Sequence, residues 1–422
     1  MNTTPLQNRL AEAFHARQKE IKEWFATETA KAPLPFYCSV DLRDAGFKIA
    51  PVDHNLFPAG FNNICPEDRR TGEEIFRKHL KDFKKVLIIP ESNTSNRYYI
   101  ENLYELREFI QRAGLECEVA WLGPEVIELV SVSEQKITAK PYLIQDGVIS
   151  IEGRMANERY VPDFVLLNND FSSGYPKFLD GLKQKVAPSH RLGWHSRKKS
   201  THFSHYNRLV AEFAQVAQID PWLLSVESHE ISDVNFNESE GIDRVRDQAQ
   251  ATLEATQKAY DTHGIKHKPF VFVKNNSGTY GMGIMVVHDA HELDQLNRRE
   301  KNKMSVGKNR SQIQSVVVQE GIPTATIVDH LAAEPVIYLI ECELLGGFLR
   351  SNTERGAEEN LNSQGMVFKK LCMSDLRDVM QDEEHKLEDL PVLELVYGTI
   401  ARISALAAGY EMIEAQKLET RK

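Results

Sequence analysis

PFVFVKNNSGTYGMGIMVV occupies residues 269–287 of a chain of 422. An apolar strand ends on Lys274, glycines follow at 278, 281 and 283, and a second strand runs from Ile284 to Val287. Glycines let backbone N–H groups approach phosphate oxygens closely, and Lys274 with Ser277 adds charge and a hydroxyl beside them. In a Walker A loop the lysine follows the glycines and opens a helix, and the dinucleotide fingerprint needs strand, turn and helix. Neither order is present. Strand, loop, strand describes a glycine-rich flap between antiparallel strands. A plain hairpin would also use Gly and Asn at its turn; the lysine at the strand end favours phosphate.

Downstream, Ser315–Ile322 is a buried strand ending in Gln319, Glu320 and Gly321. Backbone exposed there would hydrogen-bond an adenine edge, with Glu320 accepting from ribose hydroxyls. A hairpin, EPVIYLIECELLGGFLRSN (334–352), brings Arg350 to a strand end, and ENLNSQG (359–365) follows. Upstream, Val86–Ile89 reads as a buried parallel strand, ESNTSNR (91–97) as a loop, and Ile100, Leu103, Leu106 and Ile110 as a helix that Gly114 ends. Phe164–Leu167 is a further strand running into Asn168, Asn169 and Asp170. Such open sheets bind ligands at the carboxyl ends of their strands. A basic stretch at 190–208 precedes a helix through Phe213 and Val216, and residues 242–260 and 391–416 read as helices. Leu6, Leu10, Phe14, Ile21, Trp24 and Phe25 make one helical stripe near the start.

The net charge of −10 weighs against nucleic acid or an anionic membrane surface as partner, and 41% hydrophobic residues exclude a disordered chain. Five widely spaced cysteines without a C-x-x-C pair read as reduced thiols in a cytoplasm. No run approaches the ~18 apolar residues of a membrane span. His202 with His205, and His263 with His267, have helical spacing but no acidic third ligand, which disfavours zinc. The acidic segment 375–389 reads as a solvated helix face.

The order of lysine strand, glycine flap, Val-Val-Gln-Glu strand, hairpin, Arg350 and Asn-rich loop resembles the ATP-grasp superfamily, closest to its glutathione-synthetase branch. The whole chain, with VDLRDAGFKIAPVDHNLFPAGFNNI (40–64), resembles a proteobacterial family of glutamate–cysteine ligases. The resemblance implies that ATP phosphorylates the γ-carboxylate of glutamate and that the cysteine amine displaces phosphate. It implies catalytic roles for Lys274 and Arg350. It implies two lysines on the ATP phosphates: Lys274 matches the second, and Arg208 stands near the place of the first, with Lys198 and Lys199 as rivals.

ATP-grasp enzymes bind Mg²⁺ through a late hairpin carrying Asp and Glu-x-Asn, after a helix like 391–416. No such hairpin follows here, so the reading moves it to the N-terminus: Asp41 on one strand, Asp44-Ala45-Gly46 as turn, Asp53 and Asn55 on the return. A three-residue turn pairs Arg43 with Phe47 and Asp41 with Ile49, placing Asp41, Arg43, Asp53 and Asn55 on one face. Pro51 restricts the return strand to an edge or bulge. The rival reading gives the metal to Glu341 or Glu343. Glutamate would be held by Arg43, Lys48 and Asn62, with Asn93, Ser95 and Arg97.

The expected fold is α/β (α+β): a circularly permuted ATP-grasp with a preceding Rossmann-like domain. Residues 1–83 would hold the N-terminal helix and metal hairpin, 84–200 the Rossmann-like domain, and 201–422 the nucleotide-binding lobes. The expected cofactors are ATP and Mg²⁺, and the expected partners small molecules, with a homo-oligomer left open. Alternatives are another amino-acid or dipeptide ligase, glutathione synthetase among them, and a nucleotide-binding protein without catalysis.

Overall fold

The computed structural model describes residues 3–92, 95–153, 155, 158–278, 283–307, 313–371 and 392–419; Asn93, Gly281, Cys372, Pro391 and the acidic segment 375–389 lie outside them. The chain opens with α1 (Pro5–Ala16) and α2 (Gln18–Lys31). A capping box between Thr4 and Gln7 starts α1, and a break at Arg17 divides what the apolar stripe suggested was one helix. Next come β1 (Tyr37–Asp44), β2 (Ile49–Asn55) and α3 (Arg69–His79). The α/β unit follows: β3 (Lys85–Pro90), α4 (Arg97–Arg112), β4 (Glu116–Trp121), β5 (Ile127–Val130), β6 (Lys136–Gln145), β7 (Val148–Glu152), β8 (Arg159–Tyr160), β9 (Phe164–Asn168) and β10 (Lys185–Ala187). Then come α5 (Lys199–Ala217), β11 (Ser228–Ser232), α6 (Ser239–His263), β12 (Val271–Asn275), β13 (Ile284–Val287), α7 (Arg298–Ser305) and β14 (Ser315–Glu320). The last elements are β15 (Ile327–Val328), β16 (Leu331–Ile340), β17 (Glu343–Asn352), β18 (Met366–Lys370) and α8 (Val392–Glu419).

Three sheets result. The α/β sheet runs β10-β9-β3-β4-β6-β7-β8 with β5 on β6, and its β10-to-β6 portion is parallel. Its central strands β3 and β9 are buried on both faces, as their unbroken apolar runs require. The flap sheet is antiparallel in the order β11-β14-β12-β13. The third sheet runs β18-β17-β16-β1-β2, with β15 on β16, so the N-terminal hairpin completes a sheet begun near residue 331.

Side-chain alternation on β1 sets the layers. Cys38, Val40 and Leu42 face a core shared with α1, α5 and α8. Tyr37 joins a second core with α3, α4 and the α/β sheet. Asp41 and Arg43 lie on the face opposite Leu42. Helix α8 is long and apolar enough to cross a membrane by length and composition, yet 83% of that stretch is buried in the protein; it is a core helix of this lobe.

The hairpin register differs from the expected one. The N–H of Ala45 donates to the carbonyl of Lys48, so the turn is longer, and Asp44 pairs with Ile49 and Arg43 with Ala50. A bulge then shifts the register, and Asp41 stands directly opposite Asp53. The longer turn alone would have set Asp41 against Val52 and turned Asp53 to the other face; the bulge adds one residue and restores it. Pro51 sits beside that bulge on an edge strand, where its missing N–H breaks no ladder. Cys38, Cys117 and Cys342 are free thiols, whereas Cys65 is disulfide-bonded, which departs from the reading of all five as reduced.

Candidate active site

A cavity lies where the flap sheet faces the sheet that contains β1 and β2. Asp41, Arg43, Asp53, Glu334 and Arg350 line one side, and Lys199, Phe272, Lys274 and Ile284 the other. Asn360 and Asn362, from the loop after β17, close one end. A more open depression between β11 and α6 holds surface groups such as Arg244 and Asp247 and none of these charges.

Charges alternate along the floor. Glu334 accepts from Arg43 Nε at 2.5 Å and from Arg350 Nη1 at 2.9 Å, and Arg350 Nη1 also reaches Asp41 at 2.6 Å. Arg43 sends its other donors to the carbonyls of Ala357 and Glu359, both at 2.7 Å, and so anchors the loop that carries Asn360 and Asn362. Across the cavity Lys199 pairs with Asp53. Lys274 donates to Gln319 Oε1 at 2.5 Å and to the Val52 carbonyl at 3.0 Å.

Burial sets the titration of these groups. It lowers Lys274 to about 7, against the pull of Asp53. Burial also raises Asp41, with Arg350 only partly offsetting it. For Asp53 burial acts upward too, but Lys199, with Lys274 and Arg197, outweighs it and the carboxyl is lowered. Glu334 is likewise lowered, its two arginines overcoming burial. Three buried polar atoms here have no partner among the described residues: Asp41 Oδ1, Arg350 Nε and Gln319 Nε2. Leaving such atoms unpaired costs about 1–3 kcal/mol each. One is an acceptor and two are donors, which suits a cation beside an oxyanion.

Of the residues expected at the site, the structure brings Asp41, Arg43, Asp53, Lys274 and Arg350 to the cavity and sets Gln319 against Lys274. Asn55 shares the Asp53 face, opposite Ser39, without lining the cavity. Lys48 and Glu320 are taken by each other at 2.5 Å, and Glu320 also accepts the N–H of Glu227. A substrate cation at Lys48 and a ribose acceptor at Glu320 are therefore corrected: both are occupied in one buried pair. Gly321 donates its N–H to the Phe270 carbonyl, and a Cβ there would lie 2.3 Å from the Phe270 ring, so close packing accounts for the glycine. At the flap base Ser277 donates to the Arg197 carbonyl, a Cβ on Gly278 would meet Asn275 at 2.7 Å, and Gly283 has φ +63°.

Arg208 is not at the cavity. It lies nine residues beyond Lys199 on α5, pairs with Glu212 at 2.7 Å and stacks on Tyr410. At 1.5 Å rise per residue that is roughly 13 Å along the helix. Lys198 pairs with Glu230 at 2.6 Å, leaving Lys199 as the basic group that α5 aims inward. Asn62 bonds Asn63 in a short helical turn, Arg97 holds the Ser131 carbonyl and Glu134, and Ser95 is exposed; none lines the cavity. Asn168 is consumed by Tyr37, Tyr99, Asn102 and the Pro58 carbonyl. Glu341 and Glu343 pair with His79, away from the cavity. Each candidate zinc histidine has another partner: Glu411, Glu414, Asp220 and Glu358 in chain order. Sequence reasoning missed Glu334: the two-residue turn of the 334–352 hairpin alone would set it opposite Leu349, and the bulge at Tyr338 and Leu339 moves it opposite Arg350.

A profile of the GshA glutamate-cysteine ligase family matches residues 11–412. A solved structure from Methylobacillus flagellatus KT, provisionally named a gamma-glutamylcysteine synthetase, is 34% identical, with a TM-score of 0.85 over 97% of this chain and 96% of that one. A D-alanyl-alanine synthetase A from Vibrio cholerae O1 biovar eltor str. N16961 aligns over 76% of this chain and 80% of its own at 12% identity and a TM-score of 0.34, too low to argue from. Curated proteins give no match. Lysines, arginines and paired carboxylates facing one cavity, inside a chain matched almost end to end, make this protein a member of the glutamate-cysteine ligase family.

Proposed function

We propose that the cavity carries the family's reaction, the ATP-dependent joining of the glutamate γ-carboxylate to the cysteine amine, and that it runs through an acyl phosphate. The observation that supports this is the convergence of Lys199, Lys274 and Arg350 with Asp41 and Asp53 on one cavity. In the first step a γ-carboxylate oxygen attacks the terminal phosphorus of ATP and ADP leaves. In the second the cysteine nitrogen attacks the acyl carbon, phosphate leaves, and the amine proton departs with it.

Little covalent work falls to the protein in phosphoryl transfer; positioning and charge do most of it. Lys199 and Lys274 hold phosphate oxygens. Arg350, with Nε unpaired and its position fixed by Asp41 and Glu334, faces the transferred group. Asn360 and Asn362 offer amides to the substrate amino acid. Expelling water protects the acyl phosphate from hydrolysis.

The donor set fits Mg²⁺. Among the described residues no group of three or more His, Cys, Asp or Glu side chains gathers to hold a metal. Mg²⁺ needs none, since it takes one or two carboxylates and completes its shell with phosphate oxygens and water. Asp41, with Oδ1 unpaired, and Asp53 opposite it would supply the carboxylates, with Asn55 on the same face. When bound, the cation neutralises charge on the triphosphate. An ATP-consuming ligase fits the cytoplasm, where the nucleotide is supplied.

Two measurements test the reading. Asp53→Ala should abolish Mg²⁺-dependent phosphate release with glutamate and cysteine; wild-type turnover and magnesium dependence would remove Asp53 from the site. Hydroxylamine supplied in place of cysteine should yield γ-glutamyl hydroxamate from glutamate and ATP. Absence of hydroxamate alongside normal ligation would reject the acyl phosphate.

A further inference from the structure

Behind β2 and α5, on the side away from the cavity, lies a buried polar chain that the reaction does not use. Arg197 Nε and Nη2 bind Glu411 at 2.8 and 3.0 Å. His202 Nδ1 lies 2.5 Å from the same carboxylate, and His202 Nε2 lies 3.0 Å from Ser404 Oγ. Ser404 Oγ in turn is 2.9 Å from His54 Nδ1. All five residues are at most 3% exposed.

Counting protons orders this chain. Glu411 accepts throughout: burial would raise its carboxyl, but Arg197 and His202 hold it at about 2. His202 therefore donates from Nδ1. Burial lowers the pKa of His202, so the ring is neutral and Nε2 is an acceptor. Ser404 spends its one proton on His202 and accepts from His54 Nδ1–H. This leaves a lone pair on His54 Nε2, which has no partner among the described residues. The cluster is thus ordered and anchored at Glu411.

Its second property is what Arg197 touches besides Glu411. Nη1 donates at 2.6 Å to the carbonyl of His54, the residue after Asp53. The Arg197 carbonyl accepts from Ser277 Oγ at 2.7 Å, at the flap base. Two residues on is Lys199. One side chain and its carbonyl thereby join the strand that carries Asp53, the start of the helix that carries Lys199 and the flap. Helix α8 contributes Glu411 and does not line the cavity.

We infer that Arg197 and Glu411 are positioning residues for nucleotide binding: the pair fixes the strand, helix and flap base that present Asp53 and Lys199 to the phosphates. The inference rests on the reading of those two as phosphate and cation groups. Outer partners of this kind typically change ligand affinity or activity by about 10–100-fold.

The test is ADP binding by calorimetry with Mg²⁺ present, beside KM values for glutamate and cysteine. Glu411→Gln keeps one oxygen for Arg197 Nη2 and His202 Nδ1 but sets an amide NH2, a donor, against the donor Arg197 Nε. It should weaken ADP by about tenfold or more and leave both amino-acid KM values unchanged. Arg197→Lys keeps the charge but cannot span Glu411 and the His54 carbonyl, and it should behave alike; it decides the matter if Glu411→Gln does not fold. Wild-type ADP affinity in a folded variant, whatever its Tm, would overturn the inference and make the chain a purely structural core. A rise of all three substrate constants in step would overturn it too, as general loosening. Lys199→Met is the control: wild-type ADP affinity there would overturn the underlying reading as well, whereas weakened ADP with Glu411→Gln unaffected would overturn the inference alone.

Discussion

Lys274 is a buried cation with two uncharged partners, the Gln319 amide oxygen and the Val52 carbonyl. Its value near 7 means that it is mostly neutral at pH 8. Phosphate arriving beside it favours the charged form, so ADP binding at pH 8 should take up close to one proton, falling away below pH 6. Calorimetry in buffers of different ionisation enthalpy reads this directly, and no uptake would place the phosphates elsewhere. The same shift bears on stability. The folded value lies below the 10.5 of the free side chain, so between about pH 7 and 10.5 the unfolded chain binds the extra proton. Stability due to this residue therefore rises with pH across that window. Urea denaturation of Lys274→Met should lack that slope. For catalysis, Lys199→Met and Lys274→Met should each lower kcat/KM for ATP by roughly 10²–10³-fold, the scale for losing one charged donor at a reacting oxyanion.

At the scale of elements, Asn276 ties the flap to α5. Its carbonyl accepts the N–H of Lys199 and its Oδ1 the N–H of Ser200, while Nδ2 donates to Ser200 and Ser315. It is a helix cap supplied from another element. Asn276→Ala should cost about 1–2 kcal/mol in urea unfolding, the upper range for a lost cap, and weaken ADP as the start of α5 loosens. A stability unchanged within error would refute the capping role. In the sequence, the Asn275-Asn276 pair beside the glycine loop has nothing in its spacing that separates a ligand from a cap. The β1–β2 hairpin shows the same limit. Its shared carboxylate face was legible because alternation fixes faces. Its register was not, because a longer turn and a bulge cancel each other's effect on parity, and neither has a distinct residue signature. Lys48 and Glu320 were misread for a related reason: a basic and an acidic residue 272 positions apart carry no mark of their ion pair.

Over the whole molecule, the glycine flap, the βαβ order and the hairpin ending in Arg350 were each readable from local pattern. So was the idea that the chain's early hairpin joins its late strands, which the β1–β16 ladder bears out. Glu334, Asn360 and the Arg197–Glu411 pair were not, since their roles depend on what long-range folding sets beside them. If sheet position rather than chain order matters, a permutant opened at the exposed turn around Asp82 and rejoined end to end should fold and ligate. Gln7 bonds Tyr397, and α8 runs on to Glu419, roughly 33 Å further at 1.5 Å per residue. A Gly/Ser linker of about 30 residues matches that span. Circular dichroism and phosphate release check the outcome; a permutant that fails to fold would show that chain order does matter. The sheet order also bears on how the protein is made. β1 and β2 emerge early, with the apolar row Cys38, Val40 and Leu42 ready for a partner, yet β16 follows β2 by 276 residues. At ~5–20 residues per second the hairpin waits roughly 14–55 s on the ribosome for that partner. The α/β unit can close in the interval. The cavity cannot, and a half-made chain must keep an unpaired strand edge from its neighbours until β16 arrives.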